Sequence, residues 1–157
     1  MTKLALTITA LTTAILASAA SARAETVAEK KQRATVDEAA AKAAEDIKDC
    51  GAKIKVTFDW KAFDGLDWKA IGKEKTDYYD SEANNLKRLG LGINKLCADK
   101  DYKAALGKVS TIVYRSTNND KIRVKGALSG GTLTFDNYSF GSTRDGWDYE
   151  VAAKAVL

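Results

Sequence analysis

The sequence contains no histidine and no proline, a single methionine and only two cysteines. The missing histidine removes the commonest general base, the usual catalytic zinc ligand and every Ser-His or Cys-His arrangement. The missing proline leaves every turn to Gly, Asn, Asp and Ser. No S-x-x-K, G-x-S-x-G, P-loop or G-x-G-x-x-G pattern occurs, so no catalytic residue is assigned and no metal or cofactor is expected. Long apolar runs are lacking as well. The uncharged stretch from Leu4 to about Ala17 is too short and too rich in Thr for a membrane-spanning helix.

That stretch has a different meaning. It follows Lys3 and leads into small residues ending in Ala22-Arg23-Ala24, the three-part layout of a secretory signal peptide. Residues 1–24 are therefore expected to be removed after Ala24, with Ala20-Ser21-Ala22 as a competing site. The contrary reading is a retained N-terminal anchor. Removal leaves 133 residues, enough for one domain with one core, and no membrane span in the mature chain. The segment carries Lys3 and Arg23 and no acid, so the mature balance is 23 basic against 21 acidic residues. A net charge of +2 is no argument for nucleic-acid binding. In an oxidising compartment the pair Cys50 and Cys97 reads as a disulfide. Closing its 47-residue loop is worth roughly 4 kcal/mol on the chain-entropy account. The expected location is periplasmic or secreted.

Residues 25–34 are charged and aperiodic and read as a flexible lead-in, leaving residues 35–157 as a single α+β domain. Thr35 and Glu38 form a T-x-x-E capping box for an Ala-rich helix that Gly51 can end. Its narrow small-residue stripe invites a close partner helix. "KIKVTFDW" alternates strictly, with Ile54, Val56, Phe58 and Trp60 on one face of a strand. A second helix is expected from about Ser81 to Ala98, with Leu86, Leu89 and Ile93 on its stripe; Gly90 and Gly92 inside it fit either close packing against the Ala-rich helix or a kink or break. Three strands follow, the last two joined through Ser129-Gly130-Gly131. The alternation falters near Asn137, where a bulge is expected. A short final helix is expected to bury Trp147, Val151 and Ala155 or Val156. The whole predicts a mostly antiparallel four-stranded sheet with helices packed on one face and one disulfide.

The pattern acidic, aromatic, Lys, Ala occurs three times, in "DWKAFDG", "DWKAIG" and "DYKAALG". Each copy starts with Asp, a good N-cap, and reaches Gly one to two turns later, so the repeat reads as local capping grammar with core aromatics. The competing reading is an Asp–Trp surface for sugars or peptides, with Trp68 its candidate exposed aromatic. Two carboxylate clusters, Asp59-Asp64-Asp67 and Asp77-Asp80-Glu82, lack any EF-hand spacing and read as solvated charge. Lys53, Lys55, Arg123 and Lys125 point away from the expected core, with Arg115 beside them. If the first and third strands are neighbours, they form a basic face for an anionic partner; routine solubility and protection of sheet edges by lysine is the plainer account and the preferred one. Asn137-Tyr138-Ser139 is a glycosylation acceptor only in a eukaryotic pathway.

The signal segment, "CGAKIKVTFDW", the helix ending "INKLC" and the late "SGGTLTFD" resemble a group of small exported bacterial proteins of no known activity. The resemblance covers about Cys50 to Leu157 and implies export, without any functional residue. The expected function is that of a non-enzymatic exported protein binding a macromolecular partner, as an inhibitor or envelope-associated factor. That partner would be a protein or an anionic envelope component. The alternative is a carrier of small apolar ligands, because the element order is similar to a helix-grip arrangement around a cavity.

Overall fold

A computed structural model describes residues 25–51, 53–119, 123–138 and 147–157. The expected signal peptide lies outside these residues, as does Ser139 of the glycosylation triplet. In chain order the elements are α1 (Val27–Asp46), a 3-10 turn (Lys48–Cys50), β1 (Lys55–Phe58), α2 (Trp60–Asp64) and α3 (Trp68–Ile71). A second 3-10 turn (Lys75–Tyr78) leads into α4 (Tyr79–Leu96) and α5 (Lys100–Leu106). The strands β2 (Thr111–Thr117), β3 (Val124–Ser129) and β4 (Thr132–Tyr138) then precede α6 (Trp147–Lys154). The chain is thus α+β with one four-stranded sheet.

The sheet is mixed, not mostly antiparallel. Its order is β1-β2-β4-β3, with β1–β2 and β2–β4 parallel and only β3–β4 antiparallel. The difference lies in the strand order, because β4 sits between β2 and β3 and runs parallel to β2. Gly130 and Gly131, at φ 53° and 76°, make a two-residue turn that locks β3 to β4. Six residues, 118–123, separate β2 from β3, enough chain to cross the ~10 Å of two strand spacings. This connection carries β3 past one position, and β4 returns into the gap beside β2. No bulge interrupts β4: Asn137 keeps its inward phase opposite Ser116 and Val124.

The first helix begins at Val27, so the expected flexible lead-in is helical instead. Its N-cap is Thr26, whose hydroxyl accepts from the Glu29 N–H at 3.1 Å, while Thr35 lies inside the helix and donates to the Lys31 carbonyl. Thr26 and Glu29 form a second T-x-x-E, and side chains from the following loop select it. Arg33 binds both carboxylate oxygens of Asp64 at 2.6 Å, and Lys75 meets Glu29 at 2.5 Å. That ammonium hydrogen-bonds the Glu29 carboxylate and holds it below its ordinary pKa.

Helices α1 and α4 approach closely at Ala43 and Gly90. A Cβ built on Gly90 would stand 2.9 Å from the Ala43 Cα, so only glycine permits the crossing. Cys50 and Cys97 are bonded, with Cα atoms 4.8 Å apart, tying the turn after α1 to the end of α4. Val56, Phe58, Ile112, Leu133 and Phe135 project from the sheet into one core with these helices. None of the described outward residues of the four strands is buried. The last helix buries Tyr149, Ala152 and Ala153, whereas Val151 is 44% exposed and the Trp147 side chain lies outside the described set. Its buried face is therefore rotated from the expected one, because Gly126 on β3 admits the Ala152 carbonyl.

Candidate functional site

The sheet order separates the four expected basic residues. Lys53 and Lys55 are exposed at the β1 edge, and Arg123 and Lys125 at the β3 edge, with two strands between them. On those middle strands Arg115 is paired with Asp136 at 2.5 Å, so the basic face breaks into two edges.

The three clustered aspartates do not converge either. Asp59 caps α2 by accepting from the Ala62 N–H, Asp67 caps α3 by accepting from Ala70, and Asp64 is held by Arg33 and Lys75. The third copy of the motif departs from the pattern. Asp99, two residues earlier than expected, caps α5 by accepting from Asp101 and Tyr102. Trp68 is half-buried. Its indole N–H donates to the Phe63 carbonyl at 3.1 Å and its ring meets Phe63 at 4.9 Å, so it belongs to a core aromatic cluster. Trp60 is held likewise, donating to Asp37 at 2.9 Å beneath the Arg33 guanidinium.

Arg123 and Lys125 stand beside a groove. It lies between β3 and α6, encloses about 450 Å³, and is lined by these two cations with Val124, Gly126, Val151 and Val156 among others. Neither cation makes an ion pair with a described residue. Leu128 is 42% exposed on the same strand, so two of the large exposed hydrophobic side chains, Leu128 and Val151, flank this edge. Asp148, on the helix wall, has one carboxylate oxygen buried without a hydrogen-bond partner.

The outward side of the strand's backbone bonds to no described residue. The Tyr138 N–H donates to the Arg123 carbonyl at 2.9 Å. With the β3–β4 register, this assigns residues 123, 125, 127 and 129 to the hydrogen-bonded pairs. The backbone groups of Val124, Gly126 and Leu128 must then point outward from the sheet. Strand β1, the other edge, is only four residues long and offers the outward groups of Val56 and Phe58 alone.

A polar network beneath the groove went unread in the sequence. Glu82, on the first turn of α4, is fully buried. Its two oxygens accept from the Tyr114 hydroxyl at 2.5 Å and the Ser116 hydroxyl at 2.7 Å. The Tyr114 oxygen in turn accepts from Asn85 at 3.3 Å and Asn137 at 2.5 Å. Asn137 then accepts from the Tyr149 hydroxyl at 2.9 Å. Burial raises the Tyr149 pKa well above 10, and the Glu82 charge adds to this. The network joins α4, β2, β4 and α6, and so places α6 against the sheet and forms one wall of the groove. Two signals were available. Glu82 falls four residues before Leu86 on the apolar stripe, and Ser116 and Asn137 keep the inward strand phase.

Among the described residues no group of three or more potential ligands could hold a metal ion, and no helix is long and apolar enough to cross a membrane. No protein-family model matches this chain, and comparison with curated proteins and with solved structures finds no match.

Proposed function

We propose that this chain is a non-enzymatic exported protein that binds a macromolecular partner along the β3–α6 edge. The observation that carries the reading is the coincidence, on one edge, of outward backbone groups, an apolar groove and two cations that pair with no acid among the described residues. Outward strand edges are ordinarily blunted or covered, and a groove of this kind beside one is a recurrent docking device. The Cys50–Cys97 bond fits a periplasmic or secreted location. The partner is a protein or an anionic envelope component. The apolar-ligand carrier has less support. Phe135 and Tyr149, which would line a cavity beneath α6, are fully buried and meet edge to face at 5.7 Å.

The test is site-specific photo-crosslinking in the natural host, with the reactive group placed at Val151 in the groove or at Lys31 on α1. The reading predicts a defined adduct from position 151, absent from position 31 and lost on charge reversal of Arg123 and Lys125. Adducts that ignore both position and charge would sink it.

A further inference from the structure

We infer that the occupant of this edge is an extended protein segment that adds to β3 as a fifth strand, with alternating acidic and apolar side chains. The inference rests on the reading of the β3–α6 edge as the docking surface and names what docks there. Val124, Gly126 and Leu128 each present an N–H and a C=O outward, every second residue along the strand. That spacing is the template an added strand requires.

The two faces of such a strand would meet different chemistry. Val124 and Gly126 face inward, and beside them the groove is walled by Val151 and Val156 of α6. Side chains on that face of the added strand must be apolar. Lys125 is exposed on the outward face, in register with Asp136, which is already engaged by Arg115. Arg123 precedes it by two residues and therefore shares that face. The next strand's outward side chains come to lie about 5 Å from these two cations, and carboxylates there complete two charge pairs. Edge lysines that merely discourage aggregation would need neither the groove nor the exposed Val151 and Leu128.

The experiment uses the mature chain and two synthetic peptides of one composition. Acetyl-Val-Glu-Val-Glu-Val-Glu-Val-amide alternates, and a block peptide has the same residues with the three glutamates together. Binding is followed by fluorescence anisotropy at low and moderate salt. The alternating peptide is expected to bind about tenfold more tightly than the block peptide. Val124→Pro removes an outward N–H without touching the β3–β4 pairs. It is expected to weaken binding about tenfold, the effect of one or two lost backbone hydrogen bonds. Val151→Arg fills the groove from the helix side and gives the same loss without altering the strand, which keeps the test valid if the proline variant unfolds. Equal, salt-sensitive binding of both peptides would mean charge capture of any anionic polymer and would overturn strand addition. No binding of the alternating peptide, with the position-151 adduct still forming in the host, would overturn the occupant while sparing the edge. Loss of that adduct as well would remove the reading beneath it.

Discussion

The Tyr114 hydroxyl is the most heavily shared atom described, donating to Glu82 and accepting from Asn85 and Asn137. Removing it leaves buried polar groups short of partners while the ring stays stacked on Phe58. Tyr114→Phe is therefore expected to destabilise the fold by about 1–3 kcal/mol, read as a lower urea midpoint. A midpoint equal to wild type would mean the network contributes no net stability. Tyr149 predicts a pH dependence. Its folded pKa is raised well above 10, chiefly by burial, while the unfolded chain releases that proton near 10. Below pH 10 the two states are protonated alike and the group exerts no pH effect. Above it the unfolded state gains by ionising, so stability falls as pH rises. Melting temperatures measured between pH 8 and 11 are expected to fall less steeply for Tyr149→Phe than for wild type, although the variant starts lower. Parallel curves would refute the assignment. Residue by residue, these groups were legible only in part. In the sequence Glu82 clusters with Asp77 and Asp80, which are exposed, and only its helical phase sets it apart. At Asn137 a polar residue in an inward position suggests a broken pattern before it suggests a buried network.

At the scale of elements the α1–α4 crossing is the clearest case of sequence foretelling structure. The Ala stripe and Gly90 predicted close approach, and the Ala43–Gly90 contact is the result. Gly90→Ala sets two effects against each other. Alanine is the better helix former by about 1 kcal/mol, but its methyl would sit 2.9 Å from a backbone atom of α1. Overpacking of rigid helices typically costs about 1–3 kcal/mol, so packing wins and the variant is expected to be less stable. A higher melting temperature for Gly90→Ala would show that the helices can separate freely. Helix starts were harder to read. Thr26–Glu29 and Thr35–Glu38 are the same local signal, and the choice between them depends on Asp64 and Lys75, more than thirty residues away in sequence. The capping grammar of the Asp-aromatic repeat held for α2 and α3, where the cap lies directly before the helix. It slipped at α5, where Asp99 competes with Asp101.

For the whole molecule, the layers were legible and the strand order was not. Alternation shows which face of a strand is buried, but not which strand lies beside it. Here a short connection skips one position, and the inserted β4 turns an expected antiparallel sheet into a mixed one. That reordering decides the functional account, because it moves Arg123 and Lys125 to an edge of their own, beside α6, and leaves Lys53 and Lys55 at the far side. The central claim is that this edge accepts an added strand. The most direct measurement is residue-resolved amide hydrogen exchange of residues 25–157 with and without the alternating valine–glutamate peptide. The account predicts slowed exchange at the outward amides of Val124, Gly126 and Leu128, with the β4-paired amides of Lys125 and Ala127 little changed. Peptide binding that leaves those three amides exchanging as before would contradict it.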